Sequence, residues 1–224
     1  MKNYEALFDE KLDLLQLANE NTKVNWQGQL TQSIAGKEVY PRPVQDKLPL
    51  WVATGGHVES TVKIAQAGLP IVYAIIGGNP HYFKKLIQAY REIGRDAGHA
   101  DKDLKVGAHS WGWIAEDGEQ AVKDYFHPTK QVVDAISKDR PHWQELTYKQ
   151  YLEQVGPNGA MFVGNPDQVA EKLICMIEDL DLDRFMLHLP LGSMPHDQVL
   201  KAIELFGTQV APKVRAYFAM KEGL

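Results

Sequence analysis

The sequence predicts an α/β fold in which strands and helices alternate around a parallel sheet. In the stretch 48–78, an apolar run ends in Thr54-Gly55-Gly56-His57, and a segment with helical spacing follows directly. This helix ends at Gly68, and the β-rich run 71–76 begins just behind it. Strand and helix patterns alternate again from Leu104 to Phe218. Strands joined by helices in this way run parallel, so the predicted sheet is parallel.

The chain in order contains an opening helix, a turn-rich segment and four predicted strands. Asn3 can cap the opening helix, whose apolar stripe begins at Tyr4, and residues 22–44 are rich in turns. The final helix, Pro195–Phe218, should kink or split at Pro212, because proline lacks an N–H group. The predicted strands are Leu48–Ala53, Ile71–Ile76, Leu104–Ala115 and Arg184–Pro190.

Four parallel strands are half of the eight that close a TIM barrel, so we predict a partial barrel of (βα) units. The sheet then stays open, takes strands from a second copy, or belongs to a longer protein. We treat residues 1–224 as one domain with an inserted excursion at 126–159, where Pro128, Pro141 and Pro157 interrupt the periodicity. We expect this excursion to be a mobile lid, because its pattern offers few buried apolar contacts.

The composition excludes several classes of function. The 224 residues carry a net charge of −5, and no stretch gathers enough Lys and Arg to follow a phosphate backbone, so nucleic acid is not an expected partner. The longest apolar runs, such as Leu69 to Ile76, are far shorter than the roughly 20 residues of a membrane helix. The opening MKNYEALFDEK is acidic and amphipathic rather than signal-like. We therefore expect a cytoplasmic protein without a membrane partner.

A metal or disulfide framework is not predicted. Cys175 is the only cysteine, and its apolar neighbourhood, 173–177, suggests a core position. The sequence has no HExxH or CxxC pattern. Five histidines share no metal-ligand spacing: His81, His99, His127, His142 and His196.

The glycine turn is the candidate binding site. Gly55 and Gly56 lack Cβ atoms and let the backbone approach a ligand, and the helix behind them presents free N–H groups to an anion such as a phosphate. Ser60 and Thr61, one turn into the helix, can add hydroxyl donors, and His57 can donate as well. The alternatives are a turn that needs glycine for its geometry alone and an exposed His57.

Two histidines are catalytic candidates, because imidazole exchanges protons near neutral pH. His109 lies on the third predicted strand and His188 at the end of the fourth, so both can reach the mouth of the partial barrel. The alternative for each is a structural histidine with satisfied hydrogen bonds. Trp111 and Trp113, on the same strand as His109, are expected in the core.

Five segments, in order, carry a family resemblance: YPRPVQDKLPLWVATGGHVESTVKIAQAGLPIVYAIIGG, HYFKKLIQAYREIGRDAGH, VGAHSWGWIA, FVGNPDQVAEKL and PHDQVLKAIELFGTQVAPKVR. From about Tyr4 to Phe218 the chain resembles the C-terminal half of the bacterial-luciferase-like flavin-dependent monooxygenases. The resemblance implies a barrel in which the four predicted strands are the fifth to the eighth. The first four strands are absent before Tyr4, and with them the family's other flavin contacts and much of its substrate pocket.

The resemblance also implies a position for the cofactor FMN at the carboxyl ends of the strands. The end of the sixth strand, Ala74, Ile75 and Ile76, would flank the isoalloxazine ring. The excursion 126–159 would shield the flavin from water. The phosphate would lie at Thr54, Gly55, Gly56, His57, Ser60 and Thr61.

The resemblance implies a monooxygenase that uses reduced FMN, supplied by a separate flavin reductase, and O2 to oxidise a small organic substrate. A second copy of the chain is a further expected partner, since half a barrel leaves strand edges unpaired. One alternative is a non-catalytic flavin-binding protein or a truncated remnant of such an enzyme. Another is a barrel related by fold alone that binds a phosphorylated metabolite.

Overall fold

The computed structural model describes residues 3–140 and 143–223. The predictions for Pro141 and His142 lie outside the described residues. Contacts divide the chain into two compact units, Met1–Leu50 and Trp51–Leu224, which we describe separately. Among the helices of the described part, none is long and apolar enough to cross a membrane.

The first unit consists of a helix and a hairpin. Helix α1 (Tyr4–Glu20) is followed by β1 (Lys23–Trp26) and β2 (Ile34–Glu38), which pair antiparallel. Asn3 occupies the predicted cap position of α1, but its side chain makes no capping hydrogen bond. At the other end, the Arg42 guanidinium donates to the carbonyls of Ala18 and Asn19 at 2.9 and 2.7 Å. Arginine thus satisfies carbonyls that the end of a helix leaves free.

The Glu10 carboxylate holds the loop between β1 and β2. It accepts hydrogen bonds from the backbone N–H groups of Gln29, Leu30 and Thr31 at 3.0, 2.8 and 2.9 Å. The Thr31 hydroxyl donates to the same carboxylate at 2.5 Å. This hydroxyl and the three N–H groups lower the pKa of Glu10 to about 2, against a smaller opposing effect of desolvation.

The second unit is built on a five-stranded parallel sheet, which confirms the predicted α/β class. The four predicted strands are present, each with shorter bounds. A fifth, three-residue strand, which the sequence pattern did not predict, pairs with the last residues of the longest strand. The strands are β3 (Val52–Thr54), β4 (Ile71–Ala74), β5 (Val106–Ile114), β6 (Phe162–Gly164) and β7 (Arg184–His188).

The strand β5 lies at the centre of this sheet. Its residues Val106–His109 pair with β4, Gly107–Trp111 pair with β7, and Gly112–Ile114 pair with β6, while β3 pairs with β4. Helices cover the strands, as in the (βα) units of a barrel. They are α2 (Val58–Gln66), α3 (Lys84–Asp96), α4 (Gly118–Asp139), α5 (Tyr148–Val155), α6 (Pro166–Leu180), α7 (His196–Leu205) and α8 (Ala211–Glu222).

Several predicted helix boundaries are confirmed. Behind α2, Gly68 has a φ of 65°, and its N–H donates to the carbonyl of Ala65. Asn165 accepts a hydrogen bond from the Gln168 N–H and caps α6. The last helix is divided, as predicted, because a π-helical turn at Phe206–Val210 separates α7 from α8, whose first turn contains Pro212.

The excursion 126–159 is more ordered than its sequence pattern predicts. Instead of ending near Phe126, α4 continues to Asp139 with Pro128 inside it. The Tyr125 ring stacks on Trp113 of β5, with centroids 6.0 Å apart. Val133, further along the same face of α4, is also buried. Tertiary packing of one helical face therefore overrides the proline and the polar composition.

Helix α5 is also packed, so our reason for expecting a mobile lid was wrong. Tyr151 is fully buried, and its hydroxyl donates to the Val122 carbonyl at 2.8 Å. Its ring lies against Phe126, with centroids 5.2 Å apart. Whether the excursion opens during function stays a prediction, but it would open by detaching a packed helix.

A single lysine connects this excursion to α6. The Lys172 ammonium donates to the carbonyls of Gly156 and Met161 at 2.6 and 2.7 Å, and to those of Val155 and Gln154 at 3.0 and 3.4 Å. Burial lowers the pKa of Lys172 to about 7. Lys172 thus supplies a donor to carbonyls at the end of α5 and in the loop that follows it.

Cys175 corrects another prediction, since it is exposed rather than buried in the core. The apolar run 173–177 covers more than one turn of α6. Leu173, Met176 and Leu180 form the buried side of that helix, and Cys175 lies on another side.

We predict that replacing Glu10 with Gln removes an acid-sensitive part of the first unit's stability. The pKa of Glu10 is about 2 when folded, below its ordinary value of 4.5, so its stabilisation is complete above the ordinary value and is lost as the pH falls toward 2. Amide exchange protection of Gln29 to Thr31 should therefore fall over this range in the wild type and stay low in Glu10→Gln. Glu38→Gln is the control, and wild-type protection that is constant over the range would contradict the prediction.

We predict that Lys172→Met loosens the excursion. Met keeps an apolar stem but removes the ammonium donor from this group of carbonyls, which should cost about 1–3 kcal/mol of stability. Limited proteolysis should then cut faster between Trp143 and Gly159, and the unfolding temperature should fall. Lys149→Met, which changes an exposed lysine of α5, is the matched control. Equal cleavage rates in the two variants would show that Lys172 does not hold the segment.

Candidate functional site

The candidate site lies where the parallel strands end. Because the strands are parallel, the turns after β3 and β4 and the later residues of β5 and β7 lie toward the same edge of the sheet. Strand pairing fixes which of these residues lie beside each other on neighbouring strands, and we call such paired residues level with each other. Thr54 is level with Tyr73, and Ala74 is level with His109. This edge is where ligands bind in parallel α/β folds.

The two glycines of the turn after β3 have different roles. Gly56 has a φ of 96°, and a Cβ atom there would lie 2.8 Å from the Phe83 ring, so the fold itself requires glycine at this position. Gly55 does not have a positive φ, and a Cβ atom there would meet nothing within 4 Å. The open space that a bound anion needs is therefore in front of Gly55.

Helix α2 presents its N-terminus directly behind this turn. The first intrahelical bond runs from the Thr61 N–H to the His57 carbonyl at 3.0 Å, so the N–H groups of residues 58–60 have no carbonyl ahead of them in the helix. His57 occupies the cap position, is exposed, and makes no capping hydrogen bond through its side chain. Glu59 in the first turn opposes an anion, whereas the helix dipole favours one.

Two of the predicted phosphate ligands face away from this space. Thr61 is buried, and its hydroxyl donates to the His57 carbonyl at 3.1 Å and lies 3.2 Å from the Tyr73 hydroxyl. Thr54 is buried too, and its hydroxyl accepts the Gly56 N–H at 3.3 Å. Both hydroxyls therefore shape the turn, and Ser60, which is half-buried, remains the candidate side-chain donor.

At the end of β4, the three residues predicted to flank the flavin ring differ in accessibility. Ile75 is fully buried, its N–H donates to the His109 carbonyl at 2.8 Å, and its carbonyl accepts the Ser110 hydroxyl at 2.9 Å. Ala74 and Ile76 are half-buried and alternate with Ile75 along the chain. Ala74 and Ile76 are thus the residues of this strand end that a ligand can reach.

A cleft of about 480 Å³ adjoins Ile76 and the Gly77-Gly78 turn. This volume is within the range of small-molecule sites. Trp111 of β5 and Trp143 of the excursion line it, with ring centroids 6.4 Å apart. The sequence pattern does not indicate Trp143, because the aromatic and amide residues of the excursion show no periodicity. Further lining residues include Gln144, Leu146, Gln150, Glu153 and Met161.

The two catalytic candidates meet on one face of the sheet. The rings of His109 and His188 have centroids 5.6 Å apart and planes inclined at 43°. His188 is exposed and His109 is half-buried. Burial, followed by the nearby His188, lowers the pKa of His109, so His109 is neutral over a wider pH range than an ordinary histidine. We call the side of the sheet that bears Ala74, His109, Met186 and His188 the histidine face.

Within residues 3–140 and 143–223, no group of three or more His, Cys, Asp or Glu side chains could hold a metal ion. In the same ranges, neither His109 nor His188 makes a hydrogen bond through its ring. Both rings therefore keep their nitrogen atoms free to act on a ligand.

Solved structures share this fold at low sequence identity. The monooxygenase RslO1 from Streptomyces bottropensis matches with a TM-score of 0.77 and 19% identity, over 95% of this chain and 62% of that chain. The coenzyme F420-dependent tetrahydromethanopterin reductase from Methanopyrus kandleri matches with a TM-score of 0.62 and 18% identity, over 92% of this chain and 62% of that chain. The oxygenating constituent of 3,6-diketocamphane monooxygenase from Pseudomonas putida, in complex with FMN, matches with a TM-score of 0.58 and 17% identity, over 95% of this chain and 64% of that chain. This chain thus spans less than two thirds of each of these proteins.

The sequence comparison agrees with the fold. No curated protein matches the chain. The sequence model of one family, described as luciferase-like monooxygenase, matches residues 1–182. This range includes the glycine turn, the cleft and His109, and it covers most of the chain. The chain therefore belongs to the luciferase-like monooxygenase family.

Proposed function

We propose that this chain binds FMN and belongs to a monooxygenase that oxidises a small organic substrate with O2. The observation that carries the proposal is the open space at Gly55, in front of the free N–H groups of α2. Backbone N–H groups and the positive end of a helix dipole together favour a phosphate group. The same space lies at the strand edge where Ala74 and Ile76 are accessible, so a flavin ring has a surface beside its phosphate site.

The residues present fit such a cofactor in part. Gly55, the N–H groups of residues 58–60 and Ser60 would hold the phosphate, and Ala74 and Ile76 would contact the ring. Thr54, Gly56 and Thr61 would act indirectly, through the shape of the turn. When bound, reduced flavin supplies the electrons that activate O2.

The other side chains of the site would position the substrate and exclude water. Trp111 and Trp143 give the cleft an aromatic lining, which suits the apolar part of a small organic substrate. His109 and His188 would hold or transfer a proton beside the ring, since their nitrogen atoms are free and the pKa of His109 is lowered. The packed excursion, which includes α5, would close the cleft.

The related structures support a flavin-type cofactor, and we propose FMN. One of them is a complex with FMN, and another is named for coenzyme F420. A non-catalytic flavin-binding protein is the second candidate, because this chain spans only 62% of the RslO1 chain. Both candidates share the phosphate site and differ in turnover.

Two protein partners complete the proposal. A separate flavin reductase would supply the reduced cofactor, and a second copy of the chain would cover apolar surface. On α1, for example, Tyr4 is 62% and Leu15 is 51% exposed, and no residue of this helix is buried. Exposed apolar surface of this kind is typical of protein interfaces.

We predict that Gly55→Val weakens FMN binding about tenfold or more, a change of at least about 1.4 kcal/mol, because the new side chain fills the phosphate space. The backbone at Gly55 accepts valine without strain, unlike that at Gly56. Gly207→Val, where a Cβ atom also meets nothing within 4 Å, is the matched control. The measurement is a fluorescence titration with FMN, riboflavin and F420.

In this titration the wild type should bind FMN more tightly than riboflavin, which lacks the phosphate. Gly55→Val should remove that difference and leave riboflavin binding largely unchanged. Equal affinities of Gly55→Val and wild type for FMN would show that the phosphate does not bind at Gly55. Tighter binding of F420 than of FMN would identify the deazaflavin as the cofactor.

We also predict turnover that depends on the histidine pair. With reduced FMN, O2 and a panel of small aldehydes and ketones, oxygen uptake should increase when the correct substrate is added. His109→Gln and His188→Gln should lower this rate by about 10²-fold if they transfer protons, without changing FMN affinity. His196→Gln, at an exposed position on α7, is the control. Uptake equal to that of free reduced FMN with every substrate would favour the non-catalytic candidate.

A further inference from the structure

Three side chains with metal-binding atoms lie together on the histidine face. His109 of β5 is level with Met186 of β7, and Trp111, two residues further along β5, is level with His188. Met186 and His188 are two residues apart on one strand, so their side chains leave the sheet on the same side. Two imidazoles and one thioether therefore occupy neighbouring positions on adjacent strands.

The spacing of the two imidazoles matches that of rings that share one metal ion. A coordinating imidazole nitrogen lies about 2.0 Å from a first-row metal ion, which places the ring centroid roughly 3 Å from the ion. Two rings on a three-coordinate ion, at about 120° to each other, then have centroids roughly 5.5 Å apart. The centroids of His109 and His188 are 5.6 Å apart. The centroid separation is therefore compatible with both rings binding the same ion.

The three ligand groups are also at least partly accessible. Met186 is 37% exposed, which is unusual for an apolar residue within a sheet. His188 is exposed, and in the described part of the chain neither ring is hydrogen bonded. The charged neighbour on this side of β7, Arg184, places its guanidinium 4.6 Å from the centre of the Trp51 ring. Its charge is thereby directed toward Trp51.

The chemistry of this set selects the metal. Thioether and imidazole are soft or intermediate ligands without charge, and thioether ligands favour Cu(I). Mg²⁺ and Ca²⁺ require oxygen ligands, and structural Zn²⁺ sites have four ligands, with thiolate or imidazole. We propose that His109, Met186 and His188 bind one Cu(I) ion in a three-coordinate site. This proposal does not rest on the proposed flavin site, since no residue of the phosphate site takes part.

The test is an anaerobic titration of the flavin-free protein with Cu(I) in competition with a coloured Cu(I) chelator. The wild type should take up one ion per chain. His109→Gln and His188→Gln should each weaken binding by about 100-fold or more, since each removes one of three ligands, or at least about 2.7 kcal/mol. X-ray absorption of the copper-loaded wild type should show one sulfur and two nitrogen neighbours.

Met186→Leu tests the thioether specifically, because leucine conserves the volume of methionine. Cu(I) affinity should fall about tenfold or more in this variant, while weak Ni²⁺ or Zn²⁺ binding by the two histidines should not change. Met220→Leu, which alters an exposed methionine of α8, is the matched control. Met186, His188 and Met220 are exposed and His109 is half-buried. Circular dichroism verifies the fold of each variant.

Three results would overturn the proposal. The first is the absence of Cu(I) uptake in competition with the chelator. The second is uptake that is equal in the wild type and in His188→Gln, which would place the ion elsewhere. The third is Cu(I) affinity that is unchanged in Met186→Leu together with absorption spectra without sulfur, which would reduce the site to an unselective histidine pair. Loss of FMN binding in a separate titration would leave the copper result unaffected.

Discussion

The pairing of β5 with three other strands is the constraint on which the candidate site depends. The nine residues of β5 fix the level of Ala74 on one side and of Met186 and His188 on the other. A shift of one residue in either pairing would move these side chains to the opposite face of the sheet. The histidine face therefore exists because of backbone hydrogen bonds that involve none of its side chains.

The same strand also explains why the end of β4 is a defined surface. The Ile75 N–H donates to the His109 carbonyl, and the Ser110 hydroxyl donates to the Ile75 carbonyl. These two contacts hold Ile75 inward after the regular strand has ended. Ala74 and Ile76, its neighbours, are thereby kept on the accessible side, next to the cleft that contains Trp111.

Much of the fold could be predicted from the sequence, because it follows from local rules. The helix ends at Gly68 and Asn165 depend on residues within one turn, and the strands of β4, β5 and β7 are long enough to show their pattern. The three-residue strand β6 is too short for a pattern, and its pairing with β5 is a long-range contact. The structure of the excursion was missed for the same reason, since Tyr125 is held by Trp113, which lies on another element.

The sequence predicted that several candidate residues share one edge of the sheet, but it did not predict their contacts. The glycine turn, the helix N-terminus and the two histidines do lie toward one edge of the sheet. The sequence could not show that a side chain fits at Gly55 but not at Gly56. The Phe83 ring, which is distant along the chain, occupies the space at Gly56. Nor could the sequence show that Thr61 bonds to Tyr73 rather than to a ligand. In each case the deciding partner belongs to another strand–helix unit.

The two proposed ligands would not be independent, because Ala74, His109 and Met186 lie at one level of the sheet. A flavin ring against Ala74 would be next to the imidazole of His109, because these two residues are paired across β4 and β5. A Cu(I) ion on His109 would add a positive charge there and occupy the nitrogen that could otherwise transfer a proton. Each ligand would then change the affinity for the other by the same factor, since linkage between two binding equilibria is reciprocal. The phosphate site at Gly55 lies outside this coupling, so it would contribute the same binding free energy with or without the metal.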